Sequence, residues 1–127
     1  MFNIFRMGGF FGDGSENIEQ ITPEEVLKKL SDDKGKNNVK IIDVREPKEF
    51  RGNLGHIENA KLIPIKLLPL KIKEMEACKD KEIIAVCHTG ARSRSACSIL
   101  KKHGFNNVYN LKGGMHSWKK YGFKTKI

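Results

Sequence analysis

Glu82 to Ser93 reads EIIAVCHTGARS, and it joins two elements of different character. Glu82 to Val86 is a short, nearly unbroken apolar run, the pattern of a strand covered on both faces. From Arg92 to His103 the apolar positions Ala96, Ile99 and Leu100 share one helical face. Gly104 follows where a helix commonly ends in the left-handed conformation. Between strand and helix lie only Cys87, His88, Thr89, Gly90 and Ala91. A buried strand that passes through a tight turn into a helix is half of a βαβ unit, so the stretch predicts a parallel sheet.

The flanking sequence repeats the alternation. Val39 to Val44, VKIIDV, reads as a second buried strand ending in the turn-prone DVREP. Before it, Thr22-Pro23-Glu24-Glu25 has the signature of a helix start, with Thr22 as cap, Pro23 in the first turn and Glu25 closing a capping box. Val26, Leu27 and Leu30 are its expected apolar stripe. Pro47 to Asn53 reads as a short helix, Ala60 to Ile65 as extended chain and Leu67 to Ala77 as a helix. Val108 to Asn110 reads as a strand, and Gly113 to Tyr121 as a last helix. The expected class is α/β, a central, mainly parallel sheet with helices on both faces. At 127 residues one core suffices without disulfide staples. The domain is expected over residues 16–127, preceded by a flexible tail over residues 1–15. Ser31 to Asn38, SDDKGKNN, is a loop by composition.

Composition excludes several classes. No run of 18 apolar residues exists, so no membrane partner is expected. The first fourteen residues carry four phenylalanines, but Arg6 and Gly8-Gly9 interrupt them and no export signal forms. The competing reading of that segment is a sticky patch for a neighbouring chain or a membrane surface. Three cysteines, Cys78, Cys87 and Cys97, make no disulfide framework, and a reducing cytoplasmic setting is expected. The net charge of +9 comes mainly from scattered lysines, a solvated basic surface. It could also attract a small oxyanion; without a recognition motif or stacking aromatics, nucleic acid is not an expected partner. Neither zinc-ligand spacing nor a phosphate or dinucleotide fingerprint is present, so no metal or cofactor is expected.

Ligands of open α/β sheets bind beyond the carboxyl ends of the strands, and Cys87 stands at such an end. A short glycine-containing loop can curl so that its amides face one anion, with the next helix adding its free N–H groups. A helix dipole supplies about 0.3–1 kcal/mol to an anion. A hydrogen bond to a charged acceptor supplies about 1.5–3 kcal/mol. The loop amides should therefore dominate in favouring a Cys87 thiolate, the nucleophilic form. Cys97, beside Ala96 on the helix, is expected to pack in the core, and Cys78 to be an ordinary position before a loop.

In this setting Cys87-His88-Thr89-Gly90-Ala91-Arg92-Ser93 resembles the active-site loop of rhodanese-like domains. Asp43-Val44-Arg45 with Glu46 and Glu49-Phe50 resembles the family's first motif. Gly55-His56-Ile57, Asn59-Ala60 and Ile63-Pro64 resemble the second. Gly104-Phe105, Val108, Gly113-Gly114-Met115 and Trp118 complete a resemblance that runs from about Glu16 to Gly122. Four residues separate Cys87 from Arg92, the length found in members that transfer sulfur. The related phosphatases and arsenate reductases have five.

The resemblance implies a sulfurtransferase in which Cys87 takes sulfur from thiosulfate or a persulfide and passes it on from a Cys87 persulfide. His88, Thr89, Gly90, Ala91 and Arg92 would bind the substrate, and Asp43, Arg45 and Ser93 would support the site. Arg92 would bind an anionic donor or cap the loop. Asp43 and Arg45 would brace the loop or pair with nearby charges. The partners implied are a small anionic sulfur donor, a thiol acceptor and a sulfur-relay protein. The competing readings are a relay or binding module without turnover on small donors and, against the loop length, a phosphatase or arsenate reductase.

Overall fold

The computed structural model describes residues 18–32 and 38–127. The tail expected over residues 1–15 and the middle of the SDDKGKNN loop lie outside the described residues. In chain order the elements are β1 (Glu19–Ile21), α1 (Pro23–Ser31), β2 (Val39–Asp43), α2 (Pro47–Phe50), β3 (Lys61–Leu62), α3 (Leu68–Lys71), β4 (Glu82–Val86), α4 (Ala91–Lys102), β5 (Val108–Leu111) and α5 (Gly114–Lys120). The five strands form one sheet in the order β1-β5-β4-β2-β3, every neighbouring pair parallel. This is the α/β architecture expected, and the strand bearing Cys87 is its centre.

Alternation along the strands sorts side chains to two cores. Ile83, Ala85 and Cys87 join Ile42 under Leu68 of α3 and Ala96, Cys97 and Leu100 of α4. Ile84 and Val86 join Val39 and Ile41 under Val26 of α1 and Met115 and Trp118 of α5. Ile83 and Ile84 are wholly buried on opposite faces, and each such burial is worth about 1.5–3 kcal/mol. Both faces of β4 therefore hold the strand that aims Cys87.

The capping box of α1 forms as written: the Glu25 amide donates to Thr22 Oγ1, and the Thr22 amide donates to Glu25 Oε1. Its stripe is narrower than expected. Val26 is buried, but Leu27 is 41% exposed, because nine residues present one narrow face to the sheet. The extended run Ala60 to Ile65 contracts to Lys61–Leu62, because Pro64 has no N–H for the ladder. The Ile63 and Ile65 amides still donate to the Asp43 and Val44 carbonyls.

The helix expected over Leu67 to Ala77 is divided. A 3₁₀ turn at Ile65–Leu67 leads into α3, and Ile72–Cys78 is again 3₁₀. Three residues per turn align Ile72, Met75 and Cys78 on one edge, where Ile72 and Met75 are buried. Strand β1 was not expected. Its sequence, Glu-Gln-Ile, buries only Ile21 and is too short for alternation to show.

Candidate active site around Cys87

Cys87 follows directly on β4 and is 1% exposed. The Gly90 amide donates to its Sγ at 3.0 Å. That geometry needs Gly90 at φ 115°, a left-handed conformation open to glycine, and Gly90 is also the N-cap of α4. Ser93, buried in the first turn of α4, places its hydroxyl 3.2 Å from Sγ and also against Asn110 Oδ1. Asn110 Nδ2 donates to the Gly90 carbonyl at 3.0 Å. Sulfur, glycine, asparagine and serine are thus joined in one closed ring of hydrogen bonds.

Sequence reading missed Asn110. It is 2% exposed in β5, with Gln20 and Ala85 as its ladder neighbours. The available signal was an amide side chain inside an otherwise apolar strand, since a buried polar group needs partners.

The start of the loop is held by α5. The Met115 amide donates to the Cys87 carbonyl at 2.8 Å, and the His116 amide to the His88 carbonyl at 3.0 Å. Gly114, at φ 57°, makes this approach possible. A Cβ there would lie 2.4 Å from the Cys87 carbonyl oxygen and 2.5 Å from that of His88. This gives the Gly113-Gly114-Met115 motif a physical role as the seat of the nucleophile loop.

Asp43 and Arg45 are buried and pair with each other. Arg45 Nε and Nη2 donate to the two Asp43 oxygens at 2.9 and 2.8 Å, and Nη2 also donates to the Gly55 carbonyl at 2.7 Å. Their direct contacts hold the Gly55-His56-Ile57 segment to the sheet. His56 stacks on Phe50 and makes paired backbone hydrogen bonds with Lys126.

The fork of Arg92 is occupied by Glu49 of α2. Its Nη1 and Nη2 donate to the two Glu49 oxygens at 2.7 and 2.8 Å. These bonds hold the Glu49 carboxyl at about 2, far below its ordinary value, and raise Arg92 in turn. Arg92 lies in the first turn of α4, between Gly90 and Ser93, the two residues that contact Cys87 Sγ. His88 and Thr89 are exposed, and Ala91 opens α4. The His88 and His116 rings lie 6.2 Å apart, tilted by 56° to each other.

Of the other cysteines, Cys97 is wholly buried and its thiol is pushed up to about 12 by that burial, while Cys78 is half-buried. Among the described residues no cluster of histidine, cysteine and carboxylate side chains could hold a metal ion.

The family model of the rhodanese-like domain matches residues 22–121. The chain belongs to that family. A sulfurtransferase of Allochromatium vinosum is 32% identical over 105 residues, covering 83% of this chain and 92% of the relative. A putative sulfur carrier protein, YrkF, of Bacillus subtilis is 32% identical over 117 residues, 91% of this chain and 60% of the relative. A rhodanese-like domain protein of Staphylococcus aureus, known as a crystal structure, superposes with a TM-score of 0.72. It is 34% identical and is matched over its whole length by 87% of this chain. In this rhodanese-like fold the Cys87 loop, the Gly114 seat and the Asn110 brace meet at the carboxyl end of the central strand.

Proposed function

We propose that this protein is a sulfurtransferase in which Cys87 carries sulfane sulfur as a persulfide between a donor and a thiophilic acceptor. The observation that carries the reading is the Gly90 amide and Ser93 hydroxyl converging on a buried Cys87 Sγ. In the first step the Cys87 thiolate attacks the outer sulfur of a donor. With thiosulfate, the new bond joins Cys87 Sγ to that sulfur and sulfite leaves with the electron pair of the broken S–S bond. With an alkyl persulfide R–S–SH, the thiolate R–S⁻ leaves instead. In the second step an acceptor thiolate, or cyanide in an assay, attacks the outer sulfur and regenerates the Cys87 thiolate. This is covalent catalysis in two displacements.

Ser93 serves both forms of the nucleophile. Its single proton can go to Asn110 while its oxygen accepts from the Cys87 thiol, or to Sγ when the sulfur is an anion. The amides from His88 to Arg92 cradle the outer sulfur, an expectation supported by the Gly90 contact. A reducing cytoplasmic compartment suits such a thiol, and among the described residues no helix is long and apolar enough to cross a membrane. A protein donor or acceptor would make the chain a relay, a reading the sulfur-carrier relative favours.

The test is mass mapping after exposure to thiosulfate or a small alkyl persulfide. One added sulfur on Cys87 is expected, absent in Cys87→Ser and retained in Cys78→Ala and Cys97→Ala. An adduct confined to Cys97 or Cys78 refutes the assignment. Turnover to cyanide from either donor, thiosulfate or a small alkyl persulfide, separates an enzyme from a relay.

A further inference from the structure

Arg92 stands in the first turn of α4, between Gly90 and Ser93, the two residues that contact Cys87 Sγ, and its charge is already matched. Both terminal nitrogens of Arg92 are engaged by Glu49. Glu49 is also anchored from its own side, because its Oε1 accepts the Glu46 amide at 3.0 Å in the capping box of α2. The carboxylate is therefore fixed by backbone as well as by Arg92. The pair is about one-third exposed, so solvent and solutes reach it. Asp43 and Arg45 close by neutralise each other. When Cys87 is ionised for attack, it and the Glu49–Arg92 pair together carry one net negative charge.

We propose that Glu49 masks Arg92 and so selects sulfur donors that carry one negative charge or none, such as alkyl persulfides, over dianionic thiosulfate. This rests on the sulfur-transfer reading above and names its substrate class. An incoming dianion meets a net negative site and must compete with a carboxylate already seated in the guanidinium fork. A protonated alkyl persulfide meets neither obstacle. Its outer sulfur bonds to Cys87 Sγ and R–S⁻ departs, so charge is conserved with no unpaired anion brought in. Glu49 stays ionised throughout the neutral range, because Arg92 and the Glu46 amide hold its carboxyl low.

The opposite role has the opposite sign. If Glu49 instead orients Arg92 to receive an anion, removing its charge weakens thiosulfate use. Glu49→Gln keeps the shape and the acceptor for the Glu46 amide but removes the charge. The expected result is a rise of about two- to fivefold in the thiosulfate-to-persulfide ratio of kcat/KM, the scale of a partly exposed pair. A ratio that is unchanged or falls overturns the proposal.

A second arm reads the mask without sulfur transfer. Alkylation of Cys87 in the full chain is compared for iodoacetate, an anion, and iodoacetamide, which is neutral, with Cys87 resolved by peptide mass mapping. Glu49→Gln should raise the iodoacetate-to-iodoacetamide ratio several-fold, and Glu49→Ala should do the same if the glutamine variant folds poorly. The unaltered protein serves as well: its ratio at Cys87 should lie well below that of a simple thiol, and equality overturns the proposal. If neither donor loads Cys87, the sulfur-transfer reading fails, and donor selection fails with it. If both donors load it and the two ratios stay flat, only the masking fails.

Discussion

Asn110→Leu removes the one side chain that ties Ser93 to Gly90 while keeping volume and burial. Two short hydrogen bonds disappear, from the Ser93 hydroxyl to Oδ1 and from Nδ2 to the Gly90 carbonyl, along with a long, weak one from Nδ2 to Gln20 Oε1 at 3.5 Å. The Gly90 carbonyl keeps the Arg94 amide as a partner at 3.2 Å, and the Ser93 hydroxyl keeps Cys87 Sγ, so neither is orphaned. At about 1 kcal/mol for each short bond, the stability loss is about 2 kcal/mol. That lowers Tm by roughly 6–12 °C in a domain of this size. The effect on chemistry should be larger than stability alone dictates. Gly90 is in a left-handed conformation, and its amide is the donor to Sγ. A charge-assisted bond of this kind is worth about 1.5–3 kcal/mol, or roughly ten- to a hundredfold in rate if it is lost. The assay is second-order alkylation of Cys87 by iodoacetamide at 25 °C, well below the lowered Tm, beside the rate of sulfur loading. If Tm drops as stated while both rates stay within about twofold of the unaltered protein, Asn110 is a packing residue and the ring does not position the sulfur.

Two further outcomes follow from the same geometry. Gly114→Ala places a methyl group against the Cys87 and His88 carbonyls and forces a left-handed non-glycine residue, so it should cost about 3 kcal/mol in denaturant unfolding and slow sulfur loading; a variant with normal midpoint and rate would mean the α5 seat is dispensable. Glu49 is held at about 2 in the folded state against an ordinary 4.5, so its contribution is fully present above the ordinary value and vanishes as pH falls towards 2. The pair is part-exposed, so Glu49→Gln should lose no more than about 1 kcal/mol at pH 7, with the gap to the unaltered protein closing between about pH 4.5 and 2 in thermal melts; a gap that persists at pH 2 contradicts the ion-pair account.

Much of this protein could be read from local pattern. The buried runs of β2 and β4 need only a few consecutive apolar residues to declare themselves, and the α1 capping box is closed within four residues of chain. Cys87 was legible because its meaning lies in adjacent residues: a strand before it, a glycine turn after it, then a helix. Boundaries slipped where packing decides. Leu27 is exposed because the sheet covers only one side of a short helix, and the segment after Pro64 alternates between 3₁₀ and α geometry to put Ile72 and Met75 against the core.

What local pattern could not supply are the contacts between residues far apart in the chain. Glu49 reaches Arg92 across 43 positions, and Asn110 reaches Gly90 across 20 and Ser93 across 17. Gly114 was part of a recognisable motif, yet its reason is a carbonyl 27 residues away in sequence. The sequence by itself determined the strand–turn–helix unit that makes a nucleophile, because backbone propensity and hydrophobic period act over a few residues. Only the tertiary structure decided how that nucleophile is braced and which charge stands beside it, because hydrogen bonds and ion pairs depend on distance in space, which parallel strand order sets and residue spacing does not reveal.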